Sequence, residues 1–107
     1  MANVRQDGDT EAGTNPSGVF RPNSYGLYDM TGNVWEWTCD SATAVSVAPA
    51  NCLPPADCVH DTLEVVKGGS YLCDASCRHY RPAARRFLDA GVSAGNLGFR
   101  CVVRRSR

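Results

Sequence analysis

Residues 23–38 read Asn-Ser-Tyr-Gly-Leu-Tyr-Asp-Met-Thr-Gly-Asn-Val-Trp-Glu-Trp-Thr. Thr31-Gly32-Asn33 is a turn signal, and from Val34 the chain alternates with the two-residue period of a strand. That period sets Val34, Glu36 and Thr38 on one side and Trp35 and Trp37 on the other. The simplest reading is a tight turn feeding a core strand with its tryptophans packed inside. A second reading of the same residues is chemical. A turn with free carbonyls followed by a carboxylate can wrap a hard cation such as calcium.

Working outward from this strand, regular structure is sparse. Residues 39–61 hold Cys39, Cys52 and Cys58 together with Pro49, Pro54 and Pro55, and prolines at that density break helices and strands, so the segment reads as a loop insertion. Val65-Val66-Lys67 is a short strand ending at Gly68-Gly69. Ala83-Ala84-Arg85 is expected as another short strand, 89–95 as a turn, and 98–103 as a closing strand of good β-formers. Upstream, 1–24 is polar and rich in Gly, Asn, Asp and Thr. Its first part, 1–19, is expected as a leader of loop or partly disordered coil. The last residues, 104–107, form a basic, solvated tail. No segment carries an amphipathic 3.6-residue period long enough for a helix. Short strands joined by long connections predict a loop-rich α+β or mostly-β domain over 20–103.

The composition narrows the partners. A chain of 107 residues with 11 basic and 11 acidic side chains has no net charge, which gives no electrostatic reason to expect nucleic acid or an anionic membrane. No stretch approaches the ~20 apolar residues that cross a bilayer, and no apolar signal-peptide region follows Met1. The expected setting is the cytoplasm of a bacterial-type cell, or an exported protein of which this is a piece. Six cysteines are too many for ordinary usage and fix neither pairing nor compartment. Within the insertion, Cys52 with Cys58, or Cys39 with either, would make a structural disulfide.

Cys73 and Cys77 are the residues with the clearest chemistry. With three residues between them, in Cys73-Asp74-Ala75-Ser76-Cys77, two thiolates can chelate one soft metal ion or close a short disulfide, and both readings stand on the residues alone. Copper(I) is content with two sulfurs. Zinc wants four ligands, and His79 is the one adjacent candidate to add. Arg78, Arg81, Arg85 and Arg86 follow, and positive charge favours the thiolate. Gly68-Gly69-Ser70 lacks the Lys-Ser/Thr ending of a phosphate loop. Ser70 and His79 lack the nucleophile-elbow pattern of a hydrolase triad.

Four blocks in order resemble one family: 23–38, then Lys67-Gly68-Gly69-Ser70-Tyr71-Leu72-Cys73, then Tyr80-Arg81-Pro82-Ala83-Ala84-Arg85, then Asn96-Leu97-Gly98-Phe99-Arg100-Cys101. They are similar to the signatures of the formylglycine-generating enzymes, or sulfatase-modifying factors, over about 20–103. The resemblance is to the C-terminal part of that domain. It implies a loop-rich variant of the C-type-lectin-like fold, present incompletely, with structural calcium. It also implies an activity: oxidation of a cysteine in a sulfatase's Cys-x-Pro-x-Arg segment to Cα-formylglycine, with molecular oxygen and one Cu(I) held by two cysteines. By position, Cys73 and Cys77 would hold the copper, Trp37 would wall the site, Ser70 would line the oxygen pocket and Arg81 would make polar contacts nearby. The carbonyls of Gly32 and Val34, with the carboxylate of Glu36, would bind calcium.

The chain departs from the family's pattern in places. The family's cysteine pair usually encloses four residues, and here it encloses three. Asp74 stands where a histidine is common, and a tyrosine before the second cysteine is missing. Cys101 matches a position that in some members bonds an upstream cysteine. These departures keep an alternative in view, a non-catalytic lectin-like binding module. A zinc-stabilised structural domain is a further alternative.

Overall fold

The computed structural model describes residues 2–4, 13–41, 63–74 and 76–103. Its frame is one sheet of four strands, β1 (Trp35–Ser41), β2 (Leu63–Lys67), β3 (Arg86–Asp89) and β4 (Leu97–Gly98), in the order β3-β2-β1-β4. β1 and β2 are antiparallel with Trp37 opposite Val66, β2 and β3 are antiparallel with Val66 opposite Arg86, and β1 and β4 are parallel with Trp35 opposite Leu97. Among the described residues the helical content is a single 3-10 turn, Arg78–Tyr80. The loop-rich fold expected from the sequence is therefore observed, with its sheet of mixed direction.

The alternation read at Val34–Thr38 sets the core. Trp35 is 3% exposed and packs with Val66, fully buried, and Cys73, 9% exposed. Trp37, Cys77, Tyr80, Leu88 and Leu97 close around that centre. β2 ends where predicted, because Gly68 and Gly69 take φ of 97° and 74°, a left-handed region that a β-strand cannot continue through. Gly69 has a further reason to be glycine. A Cβ there would come within 2.7 Å of the Tyr80 ring.

Two strands differ from the sequence reading. The strand expected at 83–85 lies at Arg86–Asp89, because Ala84 N–H is spent on a turn back to the Arg81 carbonyl and pairing with β2 begins only at Arg86. The closing strand expected at 98–103 shrinks to Leu97–Gly98. Its pairing with β1 stops after Glu36–Gly98, and beyond it Phe99, Val102 and Val103 are exposed. Good β-formers make a strand only when a neighbour offers its backbone.

The turn before β1 is tied to the N-terminal segment. Asn3 bridges Gly32 in parallel fashion. Asn33, 9% exposed at φ 63°, accepts at Oδ1 from Asn3 Nδ2 (3.1 Å) and Asn15 N–H (2.9 Å) and donates to the Asn15 carbonyl (3.1 Å). Gly32 must be glycine here, since a Cβ would lie 2.3 Å from the Asn3 carbonyl oxygen. Most of the 39–61 insertion and the 104–107 tail lie outside the described residues.

Candidate metal centre

β2, the glycine pair and the 3-10 turn bring the chemistry together beside Trp35. Ser70 follows Gly69 and is 1% exposed. Its carbonyl accepts from Cys73 N–H (3.0 Å), and its hydroxyl accepts from Asn96 Nδ2 (3.2 Å) and Leu72 N–H (3.3 Å). The serine is thus the hinge from which Cys73 is hung. Asn96 locks it from β4's leading turn, while its own carbonyl takes the Trp35 N–H (2.8 Å).

The shortened cysteine loop is folded by Asp74. Its Oδ1 accepts from Ser76 N–H (2.9 Å), the Ser76 hydroxyl (2.6 Å) and Cys77 N–H (3.2 Å), and its carbonyl also faces Cys77 N–H (3.0 Å). This is an aspartate-centred turn, the side chain replacing a stretch of backbone. It explains how three intervening residues suffice, and why the residue at 74 is an aspartate. Tyr80 pins the other side: its hydroxyl donates to the Cys73 carbonyl and lies 3.3 Å from that of Asp74. Burial, with the two thiols beside it, pushes the Tyr80 phenol well above its ordinary range, so it stays a donor.

Cys73 and Cys77 are both free thiols, and their sulfurs lie with a ring nitrogen of His79 within 4.8 Å of one another. Burial first, then the hydrogen bond with Cys73, pushes the Cys77 thiol above its ordinary value of 9.0; the charges of Cys73 and Asp74 add to this and a backbone hydrogen bond at His79 opposes it. His79 Nδ1 is 3.2 Å from Cys77 Sγ. The imidazole stands edge-on to Trp35 with centroids 5.3 Å apart, and the Arg86 guanidinium lies 5.2 Å from the centre of the Trp35 ring. The disulfide left open by the sequence is not formed at this pair. Cys39, by contrast, is disulfide-bonded; the Cys52 and Cys58 pairings considered from the sequence lie outside the described residues. Cys101 is free and exposed.

The remaining expected residues fall in several places. Trp37 packs on the cluster from β1, but Trp35 is the tryptophan at its centre and against His79. Arg81 is exposed, its Nε donating to the Arg78 carbonyl (3.3 Å). Glu36 has both carboxylate oxygens on Arg100, at 2.6 Å and 2.5 Å. Arg100 also donates to the carbonyls of Tyr28 (2.9 Å) and Asp29 (3.2 Å), and the Glu36 bond raises its pKa further. A calcium ion on Gly32, Val34 and Glu36 would share that carboxylate with a guanidinium. Trp35, read from the sequence as a core residue alone, and Asn96 and Tyr80 were not placed at the site, although each sits inside a motif that carries the family resemblance.

Residues 1–105 match the sulfatase-modifying factor enzyme 1-like domain. The chain belongs to this family. It is 45% identical over 101 residues to the formylglycine-generating enzyme of Thermomonospora curvata, covering 91% of this chain and 33% of that protein. With the formylglycine-generating enzyme of Mus musculus it shares 45% over 103 residues, covering 95% and 27%. It is also 36% identical over 94 residues to the inactive Cα-formylglycine-generating enzyme 2 of Bos taurus, covering 84% and 27%. The crystal structure of CarF matches with a TM-score of 0.66 at 26% identity, over 92% of this chain and 31% of that one. The chain thus spans about a third of the relatives it matches. Among the described residues no helix is long and apolar enough to cross a membrane.

Proposed function

We propose that this sulfatase-modifying factor domain carries the copper-holding part of an oxidase that converts a cysteine in a Cys-x-Pro-x-Arg segment of a sulfatase-type protein to Cα-formylglycine. The observation that carries the reading is the pair of unbridged thiols, Cys73 and Cys77, gathered within 4.8 Å beside a histidine. The donor set suits copper(I): sulfur is soft, and two thiolates satisfy a d10 monovalent ion. When bound, copper would supply the single-electron chemistry with oxygen that zinc lacks. The reading requires the substrate's CH2–SH to lose two electrons and exchange sulfur for oxygen, leaving an aldehyde and sulfide. Oxygen is the oxidant, and an added thiol supplies the other electrons needed to take it to water.

The chain's own residues have defined tasks in this reading. Cys73 and Cys77 would release their protons to solvent as the metal takes their place, and binding must overcome the raised affinity of Cys77 for its proton. Ser70, held by Asn96, fixes the backbone of Cys73. Asp74 and Tyr80 fix the loop between the sulfurs, and Trp35 with Trp37 keeps water from its inner side. A calcium ion at Gly32, Val34 and Glu36 would stiffen the turn that presents these tryptophans. A thermal shift on adding calcium, abolished by Glu36→Gln, tests that part.

The decisive experiment is incubation with Cu(I), a thiol reductant, oxygen and a peptide containing Cys-x-Pro-x-Arg, with the aldehyde trapped by a hydrazide. Aldehyde formation that disappears with Cys77→Ser supports the oxidase. A protein that binds Cu(I) yet forms no aldehyde favours the second reading, a non-catalytic binding module. That reading is favoured by the similarity to an inactive relative and by the shortened loop.

A further inference from the structure

We infer that His79 is a third metal donor at this centre, so that Cys73, Cys77 and His79 form a trigonal set for copper(I). The inference rests on the copper reading above and deepens it. A pair of sulfurs alone would leave the third place on the metal to an incoming thiol. Here that place faces an imidazole of the same chain. The three donor atoms lie within 4.8 Å of one another. Metal–donor bonds of about 2.0–2.3 Å place the atoms of a trigonal set about 4 Å apart, so the cluster needs little movement to close on an ion.

Independent contacts aim the ring. The 3-10 turn Arg78–Tyr80 follows Cys77 directly and swings the side chain of His79 back toward it, with Nδ1 3.2 Å from the sulfur. Trp35, at the centre of the core, holds the ring edge-on at 5.3 Å. A sulfur and an imidazole nitrogen 3.2 Å apart are already near the spacing of two donors on one soft cation. Among the described residues the group of histidine, cysteine and acidic donors at this spacing stops at three. Copper(I) accepts three donors, whereas structural zinc takes four. A substrate thiol would then enter by displacing His79, which lies on the exposed side of the site.

The test is anaerobic titration of the protein with Cu(I) against a chromophoric Cu(I) chelator, with copper-edge X-ray absorption on the loaded form. The expected wild-type shell is two sulfurs and one nitrogen. His79→Phe, which keeps a ring against Trp35, should show sulfur alone and hold copper more weakly by at least about tenfold. A wild-type shell without nitrogen, or equal affinity in His79→Phe, overturns the role of His79 and leaves the cysteine pair standing. Absence of Cu(I) uptake by the wild type, or uptake undiminished in Cys77→Ser, overturns the copper reading itself. The absorption measurement on the wild type needs no variant to fold.

Discussion

The turn at 29–36 and the loop at 70–80 have equally dense signatures in the sequence and opposite characters in the structure. In the turn, every strong polar group on which the geometry depends has found a partner. Asn33 is bonded to Asn3 and Asn15, the Asp29 carboxylate to Gly18 N–H at 2.7 Å, and Glu36 to Arg100. In the loop the backbone is fixed just as firmly by Asp74, Ser70 and Tyr80, yet the two sulfurs at its ends are close and unjoined. The difference teaches how to tell a structural signature from a chemical one. Where polar groups are joined in fixed pairs, the residues hold shape; where a rigid frame gathers thiols and an imidazole that are close but not covalently joined, the residues are arranged so that a guest can share them.

Changes on the two sides should therefore break different things. The largest effect expected is on the loop. Cys77→Ser removes one of two sulfurs and should abolish Cu(I) uptake in chelator competition, while urea unfolding shifts by less than about 1 kcal/mol because the side chain is partly solvated. The next belongs to the turn. Gly32→Ala places a Cβ 2.3 Å from the Asn3 carbonyl at a φ of 76° and should cost about 3 kcal/mol or more in urea unfolding, with the leader detaching from the turn. Arg100→Met leaves Glu36 without its bidentate partner and should cost about 1–3 kcal/mol in the same measurement. Comparable losses of stability from Cys77→Ser and Gly32→Ala would erase the distinction between the regions.

Smaller effects sharpen it. The raised Cys77 pKa means that the folded chain holds this proton more tightly than the unfolded chain does. Its contribution to stability is complete below the ordinary value of 9.0 and is lost as pH rises through the raised one. Alkylation of Cys77 by iodoacetamide, followed by peptide mass spectrometry, should accordingly accelerate only above the pH at which a free cysteine does. A midpoint at or below 9.0 would contradict the burial and the Cys73 contact. Smallest of all, Arg85→Ala breaks a 3.2 Å ion pair with Asp40 that is half exposed on both sides and should change stability by no more than about 0.5 kcal/mol.

Much of the sheet was legible because its decisive residues act locally. The two-residue alternation picked out Trp35, which is buried, and Trp37, which packs half-buried against the same core, and Gly68-Gly69 stops a strand by backbone geometry. The closing strand was misjudged because Phe99, Val102 and Val103 advertise β-propensity without showing whether a neighbour will pair with them. At the site, the spacing of Cys73 and Cys77 announced a chelate or a bridge, and only the fold could choose between these. Spacing marked His79 as the adjacent candidate ligand but not where its ring points, which depends on a 3-10 turn that no periodicity reveals and on Trp35, which is 44 positions upstream by the numbering. The ion pair of Glu36 was not legible beside the calcium reading of the same residue, because its partner Arg100 lies 64 residues away.

The aspartate-centred turn at Asp74 has a consequence for finding kin of this chain. A carboxylate that gathers the N–H groups of the following residues can close a turn across a loop one residue shorter than the family's usual gap. Searches that demand a fixed gap between the paired sulfurs would pass over such sequences. A criterion that tolerates a shorter gap whenever an acidic residue directly follows the first cysteine should recover them.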